Sequence, residues 1–373
     1  MSPALVLAAG GTGGHLFPAE ALARELVNQG GEAHLFTDRR VDAFASTVAG
    51  VSVVQVRAGR FGGGPVQAAL GAAELALGLM QARRLLRRLR PDAVVGFGGY
   101  VSVPTMLAAA QLGMPTVIHE QNAVLGRANR LLAPRVGRIA TGFPKTAGMR
   151  DADRSRTVHT GNPVRSTILE VGKIAYRLPE MGIPVQLLVL GGSQGARIFA
   201  EIVPPALAAL PAELRGRVRL SLQARPEDRD EAAAQLREAG VDAAVESFFT
   251  DVPDRLARAQ LVICRAGAST IAELAAAGRP AILVPYPFAA DDHQAANARA
   301  FAGAGAGWVI PQPELTPPLL AHRLAGLLEN GPTLGAAAAQ ARSLSRNDAV
   351  KRLVEVVLSL SPGRSGAGKE RAA

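Results

Sequence analysis

Leu5-Val6-Leu7-Ala8-Ala9-Gly10-Gly11-Thr12-Gly13-Gly14-His15 opens the chain, and Gln186-Leu187-Leu188-Val189-Leu190-Gly191-Gly192-Ser193-Gln194-Gly195-Ala196-Arg197 repeats its form near the middle. Each is a short apolar strand that runs into a glycine loop and then a helix. Such a junction presents unpaired backbone N–H groups and the positive end of a helix dipole, a seat for phosphate or another anion. Glycine lets the backbone turn and approach a ligand with no Cβ in the way. One junction of this kind is weak evidence. Two of them, in halves of similar size, point to paired nucleotide-fold domains facing one cleft.

Outward from these stretches, apolar runs alternate with Ala/Leu-rich helical segments, the pattern of βα units around a parallel sheet. Strands are expected at 4–9, 32–37, 51–56, 93–96, 116–118 and 137–141, then at 185–190, 217–222, 242–247, 261–264, 281–285 and 307–310. A helix over 17–29 has Pro18 near its start and ends at Gly30-Gly31, and another over 269–277 stops at Gly278. The stretch 143–183 breaks into Pro, Gly, Arg and short polar pieces and reads as the interdomain linker. A last helix over 347–360 precedes a Gly/Ser/Arg/Lys-rich tail, 361–373, expected to be disordered.

The length of 373 residues fits two domains at roughly 150 residues each. The chain is 48% apolar but only 4% aromatic, so Ala, Leu and Val must pack the core. The single cysteine, Cys264, excludes an internal disulfide framework, fits a reducing compartment, and reads as a buried small hydrophobe in the run Leu261-Val262-Ile263-Cys264. The N-terminus shows no basic segment ahead of its apolar run, and no window approaches the ~20 apolar residues of a membrane span, so a soluble or peripheral cytoplasmic protein is expected. The 41 Lys+Arg against 31 Asp+Glu give a net charge of +10. Anionic membrane, a phosphorylated ligand or nucleic acid would each accept that excess. Nucleic acid is the weakest, for want of aromatic–basic interleaving, a helix-turn-helix cue or zinc spacing.

Several polar groups fall where ligands bind in open α/β sheets, at the carboxyl ends of strands. His15 follows the first glycine loop, where the positive dipole end favours imidazole as a proton acceptor. Gly96-Phe97-Gly98-Gly99-Tyr100 and His119-Glu120-Gln121-Asn122 follow two further strands. In 264–298, Glu273 lies one turn inside a helix, placed to accept ribose hydroxyls or merely to offset the dipole. Gln294 and Asn297 share a helix face, and amides suit sugar hydroxyls. The segment from Val66 to Met80 is apolar or small at all but Gln67 and Glu74 and then turns basic at Arg83, Arg84, Arg87, Arg88 and Arg90. It is either a solvated face on a core helix or an interfacial element meeting anionic lipid.

Three motif matches carry less. Gly191-Gly192-Ser193-Gln194-Gly195 fits the nucleophile elbow of hydrolases, but that reading leaves the first glycine-rich half unexplained. Asp151-Ala152-Asp153 has the spacing of a metal-binding pair and reads instead as a solvated loop. Neither glycine loop gives G-x-G-x-x-G or a P-loop, which argues against a dinucleotide cofactor and against ATP hydrolysis.

The strings GGTGGH, GFGGYVSVP, HEQN, GNPVR, GGSQGAR, CRAGAST..AE and DHQAANA, in this order from about residue 4 to about residue 357, closely resemble the bacterial MurG family, UDP-N-acetylglucosamine:undecaprenyl-diphospho-muramoylpentapeptide GlcNAc transferases. The resemblance implies a GT-B fold, two Rossmann-like parallel-sheet domains facing a deep cleft. An acceptor and membrane-associated domain would span 1–163, with a helix near 343–360 packing back on it, and a donor domain would span 164–342. The implied reaction is inverting, metal-independent transfer of GlcNAc from UDP-GlcNAc to the 4-hydroxyl of the muramyl-pentapeptide of undecaprenyl-linked lipid I, making lipid II for peptidoglycan. No cofactor and no metal are implied. The protein would sit peripherally on the cytoplasmic face of the membrane, with 66–90 on its anionic surface.

By motif position, the backbone at Phe249 would meet uracil and Glu273 the ribose. Ser193 and the Ala268-Ser269-Thr270 turn would hold the diphosphate, with Arg165 helping there or at domain closure. Gln294 and Asn297 would read the sugar, while Thr12, Gly13, Gly14 and Asn122 complete the site from the other domain. His15 would be the base, with Glu120 a rival near the same edge, and Gly98, Gly99 and Tyr100 stand with Glu120 as acceptor-side candidates. The Phe249 position is often aliphatic in the family, which a backbone contact tolerates, and His293 replaces a variable residue and is assigned no chemistry. A UDP-GlcNAc 2-epimerase of the same architecture is the nearest alternative, and a non-catalytic membrane-peripheral nucleotide-sugar sensor is another.

Overall fold

A computed structural model describes residues 2–10, 13–38, 50–59, 64–192 and 195–361. The chain divides into two compact units, one of residues 1–163 with 346–373 and one of residues 164–345.

The first unit is a seven-stranded, wholly parallel sheet in the order β3-β2-β1-β4-β5-β6-β7. Its strands are β1 (Ala4–Ala8), β2 (Glu32–Thr37), β3 (Val51–Gln55), β4 (Ala93–Gly96), β5 (Thr116–Glu120), β6 (Arg138–Thr141) and β7 (Thr157–His159). Between them run α1 (Gly13–Asn28), α2 (Pro65–Leu89), α3 (Ser102–Gln111), α4 (Arg127–Leu132) and α5 (Asp151–Arg154). Strands buried on both faces are continuously apolar, as β1 and β4 are. Alternate residues feed two cores: Leu5, Leu7 and Val95 pack with Leu22 and Leu26 of α1, and Val6 and Val94 pack with Leu86 of α2 and Met106 of α3.

The helix expected from 17 begins at Gly13, because the last residues of the glycine loop are already helical. It ends as expected at Gly30, whose φ of 80° is open to glycine, with the Gly31 N–H donating to the Leu26 carbonyl. The stretch read as a linker is more structured than its composition suggests. It contains β7, which pairs Thr157 with Ile139 at the sheet edge, as well as α5 and the first helix of the second unit. Three residues of mixed polarity give too little periodicity to be seen. Asp153 is likewise no solvated loop residue. It is fully buried, accepts from Arg150 at 2.7 Å and Arg156 at 2.5 Å, and is held below its ordinary pKa chiefly by the Arg150 hydrogen bond.

The second unit is a six-stranded parallel sheet in the order β10-β9-β8-β11-β12-β13. Its strands are β8 (Val185–Leu190), β9 (Val218–Gln223), β10 (Asp242–Glu246), β11 (Leu261–Cys264), β12 (Ala281–Leu283) and β13 (Gly307–Val309). Its helices are α6 (Ser166–Val171), α7 (Arg197–Ala208), α8 (Ala212–Arg217), α9 (Pro226–Glu238), α10 (Val252–Arg258), α11 (Ala268–Ala277), α12 (His293–Gly303), α13 (Pro317–Leu328) and α14 (Gly331–Ser343). Val185, Leu187 and Val189 of β8 and Leu220 and Leu222 of β9 pack on Phe199 and Val203 of α7 and Leu236 of α9. Cys264 is fully buried, which pushes its thiol pKa up to about 12.

Arg279 is also fully buried and has no carboxylate partner among the described residues. Its guanidinium donates to the carbonyls of Leu256, Ala257, Ala277 and Gly278, the C-terminal ends of α10 and α11, and burial lowers its pKa to about 10. A cation there satisfies carbonyls that two helices leave unpaired. The chain then rejoins the first unit as α15 (Ala349–Leu358), whose Leu353, Val354 and Val357 pack in the same core as Leu22 and Leu26 of α1.

Candidate functional site

In each sheet the strand order reverses once, between β1 and β4 in the first unit and between β8 and β11 in the second. Such switch points are where doubly wound sheets bind ligands, because the loops leaving the two strands part to opposite faces.

At the first switch point, the loop after β1 leads through Gly13 and the exposed Gly14 into α1 and sets His15 against the loop after β4. Gly98 and Gly99 have φ values of 89° and 72°, open to glycine. A Cβ on Gly98 would stand 3.3 Å from Cε1 of His15, and one on Gly99 would stand 3.3 Å from Cδ2. The imidazole therefore rests on two bare α-carbons. Tyr100 donates to Asp38 at 3.0 Å and is directed to that carboxylate. Thr12 lies outside the described residues.

The loop after β5 supplies the polar wall. Glu120, a rival base on sequence grounds, is buried and fully engaged. One carboxylate oxygen accepts from the backbone N–H of Asn122 at 3.0 Å and its side-chain amide at 3.1 Å. The other accepts from the Gly126 N–H at 2.9 Å and the Asn129 amide at 2.8 Å. Glu120 thus ties the loop 120–129 together and is not free to take a proton from a substrate. Gln121 connects to His15: its Oε1 lies 3.1 Å from His15 Nδ1 and its Nε2 lies 3.0 Å from His119 Nδ1. His119 is fully buried and reaches the Gly161 carbonyl through Nε2 at 3.1 Å. Burial lowers its pKa to about 4, with the Gly161 hydrogen bond opposing and the nearby His15 assisting. Asn162 donates to the Gln121 carbonyl at 2.9 Å. The first part of the GNPVR string therefore braces the HEQN loop inside one unit.

At the second switch point, Gly191 and Gly195 flank a loop whose residues 193 and 194, including Ser193, lie outside the described residues. Gln223, at the end of β9, accepts from the Gly191 N–H at 3.1 Å and donates to the carbonyls of Gly192 and Ser247. Across from it, α11 starts at Ala268 after Gly267, with no side-chain cap. The N–H groups of Ala268, Ser269 and Thr270 are those a helix leaves without internal partners, and they form an anion seat at its positive end.

Glu273 sits one turn on and pairs with Arg165 through two contacts, 2.9 Å from Nε and 2.8 Å from the terminal nitrogen. Burial pushes the Glu273 pKa up, and Arg165 works against that shift. The α12 amides bear on the same loops. Gln294 accepts through Oε1 from the Ala266 N–H at 3.2 Å and the Tyr286 N–H at 2.9 Å. Asn297, on the same helix, is fully buried and donates to the Ala266 carbonyl at 3.0 Å. Two consecutive residues with positive φ, Asp291 at 52° and Asp292 at 51°, bring α12 into this position at the cost of backbone strain. Phe249 is buried, with the Arg255 guanidinium 4.0 Å over its ring.

Gln121 and His119 enter the sequence reading only as members of the HEQN quartet, Gly161 and Asn162 only as part of the GNPVR string, and Gln223 not at all. For the first two the signal was present in the polar quartet at the end of β5, but residue type did not reveal which member was structural. Gln223 has only its place at a strand's carboxyl end.

Residues 5–141 match the glycosyltransferase family 28 N-terminal domain and residues 186–353 the glycosyltransferase family 28 C-terminal domain. A UDP-N-acetylglucosamine–N-acetylmuramyl-(pentapeptide) pyrophosphoryl-undecaprenol N-acetylglucosamine transferase of Rhodospirillum centenum is 53% identical, over 100% of this chain and 97% of the relative. One of Paramagnetospirillum magneticum is 52% identical, over 98% and 99%. Among solved structures, Acinetobacter baumannii MurG matches with a TM-score of 0.79 at 30% identity, over 95% of this chain and 99% of that one. A UDP-N-acetylglucosamine 2-epimerase structure from Listeria monocytogenes matches with a TM-score of 0.67 at 14% identity, a likeness of fold alone.

Proposed function

The chain belongs to the MurG family of GlcNAc transferases, with its two Rossmann-like parallel-sheet units in the GT-B class, and from that premise we propose that it moves GlcNAc from UDP-GlcNAc to the 4-hydroxyl of an undecaprenyl-diphosphate-linked muramyl-pentapeptide. The product is the disaccharide lipid used to build peptidoglycan. The observation that carries this reading is that the two switch points bear complementary chemistry, a histidine seated on bare glycines in one unit and an uncapped helix N-terminus beside a ribose-ready carboxylate in the other.

In the proposed step the acceptor oxygen attacks C1 of GlcNAc while His15 takes its proton, and the bond from C1 to the diphosphate breaks with its electrons leaving on UDP. The sugar inverts at C1. Charge growing on UDP is met by the N–H groups of Ala268, Ser269 and Thr270, which are preorganised in the folded chain. Glu273 turns from Arg165 toward the ribose hydroxyls, and Arg165 is released toward the diphosphate. Ser193, Thr12, Gly13, Gly14 and Asn122 keep their proposed places around the donor, and Gly98, Gly99 and Tyr100 theirs on the acceptor side. Gln294 reads the sugar, supported by Asn297. The step uses no metal.

Along α2, Leu70 and Leu77 are exposed, and Arg84 and Arg88 continue the same stripe within about 40° at 100° per residue. No described helix is long and apolar enough to cross a membrane. We place this stripe on the anionic cytoplasmic surface of the cell membrane, where the lipid-linked acceptor lies.

The test is release of UDP from UDP-GlcNAc with and without lipid-linked muramyl-pentapeptide, in EDTA. Acceptor-dependent release with a GlcNAc-bearing lipid product is the expected result. Release without acceptor, or appearance of the 2-epimer, would overturn it.

A further inference from the structure

We propose that Gln121, backed by His119 and the Gly161 carbonyl, is a positioning residue that fixes the tautomer of His15, with the proton on Nδ1 and the lone pair on Nε2. This rests on the reading of His15 as the base.

The line of contacts is anchored at the Gly161 carbonyl. A backbone carbonyl only accepts, so His119 Nε2 must donate to Gly161, 3.1 Å away. His119 is buried and neutral, so its other nitrogen, Nδ1, has only a lone pair to offer. That lone pair faces the side chain of Gln121 at 3.0 Å, and only the amide N–H₂ can satisfy it. A second contact sets the amide the same way round, since the Gln121 Nε2 also donates to the His119 carbonyl at 3.0 Å. The amide oxygen is therefore turned toward His15 Nδ1 at 3.1 Å. An amide oxygen cannot donate, so Nδ1 must carry the proton.

The opposite tautomer would face two lone pairs at that distance. Relieving the clash by flipping Gln121 would break both of its bonds to His119. The protonation of one ring nitrogen is set by the partner of the other, and here that partner is determined by three successive groups.

The ring is also held in place. Gly98 and Gly99 flank Cε1 and Cδ2, the two carbons on either side of Nε2. Among the described residues Nε2 has no hydrogen-bond partner. When the acceptor proton moves to Nε2, the imidazolium keeps its Nδ1–H on the Gln121 oxygen, so the relay also steadies the charge that forms. Glu120, although adjacent in sequence, takes no part, because its four acceptor contacts all lie within the loop 120–129.

The experiment is side-chain nitrogen NMR on the full-length protein labelled with ¹⁵N-histidine, with His15 assigned by loss of its signals in His15→Ala. The wild type should show a pyrrole-type Nδ1 and a pyridine-type Nε2 at His15, and the reverse would overturn the proposal with no variant needed. Gln121→Leu should mix the tautomers and lower kcat by about 10²-fold, the lower end of what a placed base contributes, with KM for UDP-GlcNAc unchanged. Gln121→Glu gives up both donations to His119 but keeps an acceptor oxygen opposite Nδ1, so it should recover the Nδ1–H form and part of kcat relative to Gln121→Leu. If Gln121→Leu leaves both tautomer and kcat as in the wild type, Gln121 does not position His15. Acceptor-dependent UDP release by the wild type reports the transferase reading separately, so either claim can fail while the other stands.

Discussion

The switch points of the two units are built on the same plan and finished differently. Both lie where a parallel sheet reverses its strand order, and both have a glycine loop on one side and a helix start on the other. In the first, side chains dominate: His15, Gln121 and His119 form a line of hydrogen bonds ending on a backbone carbonyl. In the second, the backbone is left open at Ala268–Thr270, and side chains such as Gln223, Gln294 and Asn297 serve to hold loops in shape. A proton acceptor needs a defined tautomer, which side chains supply. A diphosphate needs several N–H groups at once, which a helix end supplies. On this account the first unit supplies the base and the second the larger share of the donor's seat.

That division predicts effects that separate cleanly. His15→Ala should cut kcat by ~10²–10⁴-fold while UDP-GlcNAc affinity holds, read from steady-state kinetics beside donor titration. Arg279→Met should act on the second unit through stability alone. Four helix-end carbonyls lose their buried cation, for about 3 kcal/mol in urea unfolding, while the donor affinity of the molecules that remain folded is unchanged.

His119 gives the first unit its own pH signature. Its folded pKa is near 4, against 6.5 for the ordinary side chain, so the unfolded chain takes up a proton first as the solution is acidified. Stability is then full above pH 6.5 and declines as pH falls toward 4, by about 3 kcal/mol in all. Urea unfolding followed across that window should show this slope in the wild type and lose it in His119→Asn.

Glu273→Gln should weaken UDP-GlcNAc by about 10- to 100-fold, the worth of hydrogen bonds to a charged acceptor, with kcat at saturating donor nearly kept. The smallest effects belong to α2. Arg84→Ala or Arg88→Ala should each lower binding to anionic vesicles by about fivefold, roughly 1 kcal/mol apiece, and added salt should erase the difference.

Much of the fold can be read directly from the sequence, because strands buried on both faces are written as unbroken apolar runs. Twelve expected strands meet their counterparts within a few residues, and β7 alone is absent from the expectation, being short, polar and at an edge. The glycine loops and the HEQN quartet were visible as chemistry. Their internal division of labour was not, because Glu120 and Gln121 differ in what they touch across the loop and not in the pattern around them. In the folded chain the carboxylate is used up by four donors while the neutral amide next to it reaches the histidine. Gln294 and Asn297 teach the same point in the second unit, since a shared helical face does not reveal that one accepts from the Ala266 N–H while the other donates to the Ala266 carbonyl.

The claim that the base and the main donor contacts belong to different switch points is tested most directly by calorimetric titration of UDP-GlcNAc into the wild type, His15→Ala and Glu273→Gln. The account predicts a wild-type Kd for His15→Ala and a Kd raised by at least about tenfold for Glu273→Gln. Equal losses of affinity in the two variants would contradict it.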